Sequence, residues 1–88
     1  MLLWKKRALS DRQKIVEYIE QDSPQAALNV GQILTENAVM LGVMPMMGKA
    51  GRLAGTRELV ALPNYIIIYR VKNNITEILR IKHAALKD

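Results

Sequence analysis

The 88 residues carry 13 Lys and Arg against 8 Asp and Glu, a net charge of +5, and a chain this short buries only roughly two-thirds of the surface its unfolded form exposes. Half of the residues are hydrophobic and about a quarter are charged, which excludes disorder and a coiled coil and predicts one packed domain spanning 1–88. With no cysteine and no apolar run of about eighteen residues, a disulfide framework, a thiolate zinc site and a membrane helix are excluded, and a soluble cytosolic protein is expected.

Leu2, Leu3 and Trp4 form an apolar run ahead of Lys5, Lys6 and Arg7, long enough for a strand and too short for a helix. Ser10, followed three residues later by Gln13, has the form of a capping box, with Asp11 against the positive end of the helix dipole. A helix is predicted from there to about Asp22, burying Ile15, Tyr18 and Ile19. Ser23 and Pro24 then supply an N-cap and a proline for the first turn of a second helix. Its Ala27, Val30, Leu34, Ala38 and Leu41 recur every three or four residues and end near Gly42. Helices joined so tightly predict an antiparallel hairpin.

Residues 42–55 are rich in Gly, Met and Pro, show no period and carry Lys49 and Arg52; they read as a charged loop. Met44, Met46 and Met47 suit flexible gap filling or an adaptable surface for a partner. Residues 58–62 and 65–71 are β-formers separated by Pro63 and Asn64, a turn signal. Lys72, Asn73 and Asn74 form the next turn, because Asn tolerates positive φ, and residues 75–81 alternate beyond it. The result is an α+β fold, an N-terminal helix hairpin packed on a small twisted antiparallel sheet. The run Tyr65 to Tyr69 has almost no polar alternation, which predicts a central strand covered on both faces. A helix hairpin covers one; the loop, the tail or a partner must cover part of the other.

All of the charge excess lies in the second half: residues 1–44 hold five cations and five acids, residues 45–88 hold eight and three. Such asymmetry marks either a surface for a polyanionic or acidic partner or a solvated face kept for solubility. One His and no Cys offer no metal-ligand set, and Gly48, Gly51 and Gly55 lack the strand-before, helix-after setting of a nucleotide loop, so neither metal nor nucleotide cofactor is expected. Glu58 and Glu77 read as partners of neighbouring Arg residues rather than as a hydrolytic pair. Ser10 and Ser23 are read as caps, which leaves no covalent nucleophile. A cluster of Arg and Lys with a single His suits one reaction, cleavage of RNA by its own 2′-hydroxyl: guanidinium groups stabilise phosphate charge and the imidazole moves protons near neutral pH.

The segments GRLAGTRELV at 51–60, PNYIIIYRV at 63–71 and ILRIKH at 78–83 together resemble the RelE/ParE superfamily of type II toxins. The opening strand, the helix start near Ala8 to Arg12 and the second helix from Pro24 fall in the order that family uses. The resemblance implies a helix hairpin on a twisted antiparallel sheet, and growth inhibition relieved by a cognate antitoxin protein. RelE-like members cut messenger RNA on the ribosome, whereas ParE-like members poison DNA gyrase. Carried over by position, Arg57, Arg80 and His83 resemble the RNase members' catalytic residues, and Lys49, Arg52 and Lys82 their RNA-binding cations. Arg80-x-x-His83 also occurs in ParE-like members. The ending departs from the usual Gln, Trp and Pro, and no Tyr neighbours His83 in the sequence. A metal-free, ribosome-dependent mRNA interferase is the first expectation; a gyrase poison without catalysis and an inactivated toxin are the alternatives.

Overall fold

A computed structural model describes residues 1–84; Lys87 and Asp88, counted above in the cationic half, lie outside the described residues. Strand β1 (Leu2–Trp4) leads directly into α1 (Lys6–Glu20), which α2 (Pro24–Val43) follows. A short 3-10 turn (Pro45–Met47) then precedes β2 (Lys49–Ala50), β3 (Arg57–Leu62), β4 (Tyr65–Lys72) and β5 (Ile75–His83). The strands form one sheet in the order β1-β5-β4-β3-β2. The predicted meander β3-β4-β5 is its centre, but β1 adds to β5 in parallel, with Leu2 opposite Thr76 and Trp4 opposite Ile78, so the sheet is mixed. The edge strand β2 lies inside the segment read as loop, pairing Lys49 with Glu58 and Ala50 with Arg57.

Both helices pack on one face of this sheet. Leu34, Ala38 and Leu41 of α2 and Ala8 of α1 meet Ile67 and Tyr69 of β4 and Ile78 and Ile81 of β5 in the buried core. Each large apolar side chain so buried is worth about 1.5–3 kcal/mol. Ser23 caps α2 as predicted, its Oγ accepting the Ala26 N–H at 3.1 Å. The start of α1 differs from the capping-box reading. The helix begins at Lys6, four residues before Ser10, and its N-cap Lys5 makes no side-chain cap. The entry is fixed by backbone instead: Lys5 N–H bonds Ile78 O across the sheet and Leu9 N–H bonds Lys5 O. Ser10 is therefore an interior helix position.

The hairpin is bolted by Arg12, whose Nε donates to Thr35 Oγ1 at 3.0 Å and Nη2 to Gly31 O at 3.1 Å. After α2 the chain is held against the sheet by Tyr69, whose hydroxyl donates to Pro45 O at 2.7 Å and accepts the Gly48 N–H at 2.9 Å. Gly48 is required by that approach, because a Cβ there would meet Tyr69 Oη at 2.5 Å and Glu58 O at 2.6 Å. The β4-β5 turn follows the sequence reading, with Asn73 and Asn74 at φ 53° and 65°. One irregularity matters below. Ile68 pairs with Arg80 and Tyr69 with Ile78, so Leu79 is an extra residue, a bulge that increases twist and re-aims its neighbours.

Candidate functional site

Alternation along β4 sends Ile67 and Tyr69 into the core and Ile66 and Ile68 to the opposite face. There they floor a hollow of about 200 Å³, with Leu53 and Leu79 as further apolar wall and Arg7, Arg52, Arg80, Lys82 and His83 around it. The 51–56 segment, through Arg52, Leu53 and Thr56, closes one side, which is part of the second cover that the apolar run of β4 called for. Glu58 is the acid of this hollow. It is buried, it accepts the Arg52 backbone N–H at 3.1 Å, and the Arg52 Nε lies 3.9 Å from it. Of the second-half cations, Arg52, Arg80 and Lys82 thus line a concavity with a hydrophobic floor, and Arg7, from the first turn of α1, joins them.

Arg80 is fixed by a residue that sequence reasoning placed elsewhere. β1 stops opposite Ile78 while β5 runs on to His83, so the β5 edge beyond the bulge needs another partner. Asp11 of α1 provides it. One carboxylate oxygen accepts the Ile81 N–H at 2.9 Å and Arg80 Nε at 2.7 Å, and the other accepts Arg80 Nη2 at 3.1 Å. Burial alone raises the Asp11 carboxyl, but the Arg80 hydrogen bonds, the Ile81 amide and the charges of Arg80 and Arg7 outweigh it and hold the group below its usual range. Asp11 is thus a sheet-edge surrogate rather than a helix-dipole acid, and Arg80 pairs with it rather than with Glu77. Glu77 is paired with Arg70, whose hydrogen bond lowers its carboxyl.

The six sequence-derived site residues do not converge. Arg80, Lys82, His83 and Arg52 line the hollow. Lys49 lies across from Glu58 on the edge strand, outside that lining. Arg57 is directly opposite Tyr69, on the helix-bearing face, where its Nη2 donates to Gly48 O at 2.5 Å and Met46 O at 3.3 Å. It shares no face with Arg80. His83 does have a tyrosine beside it, supplied by β4 instead of by a sequence neighbour. Tyr65 is its cross-strand partner, and the rings meet edge-on at 5.3 Å and 79°. Arg7 and Asp11 were missed, and only the three-dimensional packing of α1 across β5 reveals them. Among the described residues there is no cluster of three His, Cys, Asp or Glu that could hold a metal, and no helix long and apolar enough to cross a membrane.

A helix hairpin packed on one face of a twisted sheet is the arrangement that the resemblance to type II toxins implied. A family model described as "ParE toxin of type II toxin-antitoxin system, parDE" matches residues 2–86. The chain belongs to this family and is the toxin of such a pair, so a cognate antitoxin is its partner. It is 40% identical over 84 residues to Toxin RelE2 of Caulobacter vibrioides, covering 96% of this chain and 94% of that protein. It also superposes on a chain of the chromosomal ParDE system from P. aeruginosa with a TM-score of 0.81 at 27% identity, covering 93% and 92% of the two chains. YafQ from E. coli shares the fold alone, with a TM-score of 0.52 at 16% identity over 97% and 93% of the chains.

Proposed function

We propose that this toxin arrests growth in the cytoplasm by binding a macromolecular target through the cationic hollow, without cutting RNA, and that the target is DNA gyrase. The observation that carries this reading is the separation of Arg57 from Arg80. Two guanidinium groups act together on a phosphate only when both reach it, and here one bonds the Met46 and Gly48 carbonyls on the helix-bearing face while the other is forked to Asp11 on the opposite face. Membership in the ParE family and the likeness to the ParDE chain support the same reading. Arg7, Arg52 and Lys82 around an apolar floor suit an acidic surface bearing an exposed apolar side chain.

RNA cleavage is the second reading, and the Tyr65–His83 contact beside Arg80 and Lys82 favours it: an imidazole and a phenol near two cations offer proton transfer and charge stabilisation at one strand end. Induction of the toxin without antitoxin separates the two. Gyrase–DNA covalent complexes with intact messages, and toxicity retained in His83→Gln, are the expected result. New RNA 5′ ends at fixed codon positions, lost in His83→Gln, would overturn it in favour of the interferase.

A further inference from the structure

Residues 37–48 contain no charged side chain, in a chain that is about a quarter charged, and half of them are exposed. The last turns of α2 and the 3-10 turn expose Met40 by 47%, Val43 by 77%, Met44 by 57% and Met46 by 70%, with Met47 beside them at 36%. Isolated apolar residues on a surface need no cause, but a contiguous group marks a contact site. The backbone that carries this group is also tied to the sheet. Tyr69 grips Pro45 and Gly48 on either side of the 3-10 turn, and Thr76 Oγ1 donates to Leu41 O at 3.0 Å.

Arg57 supplies the second, independent observation. Its guanidinium reaches out beneath this same turn, bonding Met46 O and Gly48 O, yet its buried Nε has no acceptor. Among the described residues, the ion pairs use Arg52, Arg70 and Arg80, and no carboxylate pairs with Arg57. The adjacent acid, Glu58, points to the other face. A half-buried cation satisfied only by neutral carbonyls gains when a carboxylate is brought to it. The surface therefore asks for apolar side chains next to one acid.

We infer that the apolar end of α2, with Arg57, is a docking site for the antitoxin, and that it takes a short segment whose Leu, Ile, Val or Phe side chains lie on Met44, Met46 and Met47 while a Glu or Asp pairs with Arg57. Thioether side chains re-pack readily around such residues. This places an antitoxin contact at the apolar end of the helix layer, not in the cationic hollow. It does not depend on which target the hollow engages, so the two readings can fail separately.

The test is peroxide footprinting of the purified toxin and of the purified toxin–antitoxin complex, with oxidation of each methionine read by mass spectrometry. Met44, Met46 and Met47 should oxidise at least about tenfold more slowly in the complex, as removal from solvent requires. Equal rates in the two samples would overturn the proposal. Protection already present in the toxin alone, increasing with its concentration, would make the patch a contact between two copies and overturn it as well. Val43→Lys puts a charge in the patch at a helix C-terminus, where a cation is tolerated, so folding should survive while antitoxin binding falls by about tenfold or more. Arg57→Gln should weaken binding similarly and flatten its salt dependence; unchanged affinity there, with the methionines protected, would remove the carboxylate from the site.

Discussion

Replacing Asp11 by Ala should be among the most damaging single changes on α1, and its cost can be worked from the contacts. The substitution removes three charge-assisted hydrogen bonds, two from Arg80 and one from Ile81 N–H, and takes the carboxylate away from a strand-edge amide and a guanidinium. Hydrogen bonds to charged groups are worth roughly 1.5–3 kcal/mol each when well buried. The Asp11 and Arg80 side chains are 14% and 29% exposed, so water recovers part of the loss, and a net cost of about 2–3 kcal/mol is expected. For a domain of this size that lowers Tm by on the order of 10–20 °C. Asn in its place keeps an acceptor for Ile81 N–H but not the charge, and should lose about half as much. The folded carboxyl is held below its unfolded value, so its stabilisation is complete above about pH 4 and is lost as pH falls through the folded value. The gap between wild type and Asp11→Asn, followed by circular dichroism, should be constant from about pH 7 to 5 and close below about pH 4. A double-mutant cycle with Arg80→Met that returns less than about 0.5 kcal/mol of coupling would refute the reasoning.

Substitutions at three further positions probe elements of the fold. Gly48→Ala forces a Cβ to 2.5 Å from Tyr69 Oη and 2.6 Å from Glu58 O; urea denaturation should show a loss of about 1–3 kcal/mol, and an unchanged midpoint would mean the turn gives way at no cost. Asn74, at φ 65°, should accept Gly without loss, whereas Asn74→Val should cost about 1–2 kcal/mol in the same assay. Ser23→Ala removes the cap on Ala26 N–H and should cost about 1 kcal/mol, seen as a lower thermal midpoint.

What the sequence disclosed follows the range of the forces involved. Ser23 with Pro24 and the turn at Asn73 and Asn74 are set by residues touching their neighbours, and both were read correctly. The stripe on α2 was legible for the same reason, with Ala27, Leu34, Ala38 and Leu41 all buried. Ser10 and Gln13 mimic a cap because the pattern is local, but the start of α1 is dictated by Lys5 N–H bonding Ile78 O, a contact across most of the chain. The fork of Asp11 on Arg80 spans 69 positions and leaves no spacing signal. Arg57 was grouped with Arg80 because both are strand cations in the resembled segments. Alternation fixes that Arg57 and Glu58 lie on opposite faces, but which face carries the helices is settled only by packing. Tyr65 and His83 meet through the register of β4 and β5, which the bulge at Leu79 resets.

The separation of charge from apolar surface has a consequence in solution that can be measured on one preparation. Around the hollow, Arg7 and Arg52 are exposed, so the target binding proposed there would rely on interactions that salt screens: the Debye length contracts from about 10 Å at 0.1 M to about 3 Å at 1 M. The α2 patch offers no charge of its own between residues 37 and 48, and apolar contact does not weaken with ionic strength. Raising salt from 0.1 to 1 M should therefore reduce target binding steeply, while antitoxin binding falls only by what the single Arg57 contact loses. Parallel titrations by calorimetry would show two slopes. If both complexes weaken with the same steep slope, the antitoxin is using the cationic hollow too, and neutralisation is direct competition for that one surface.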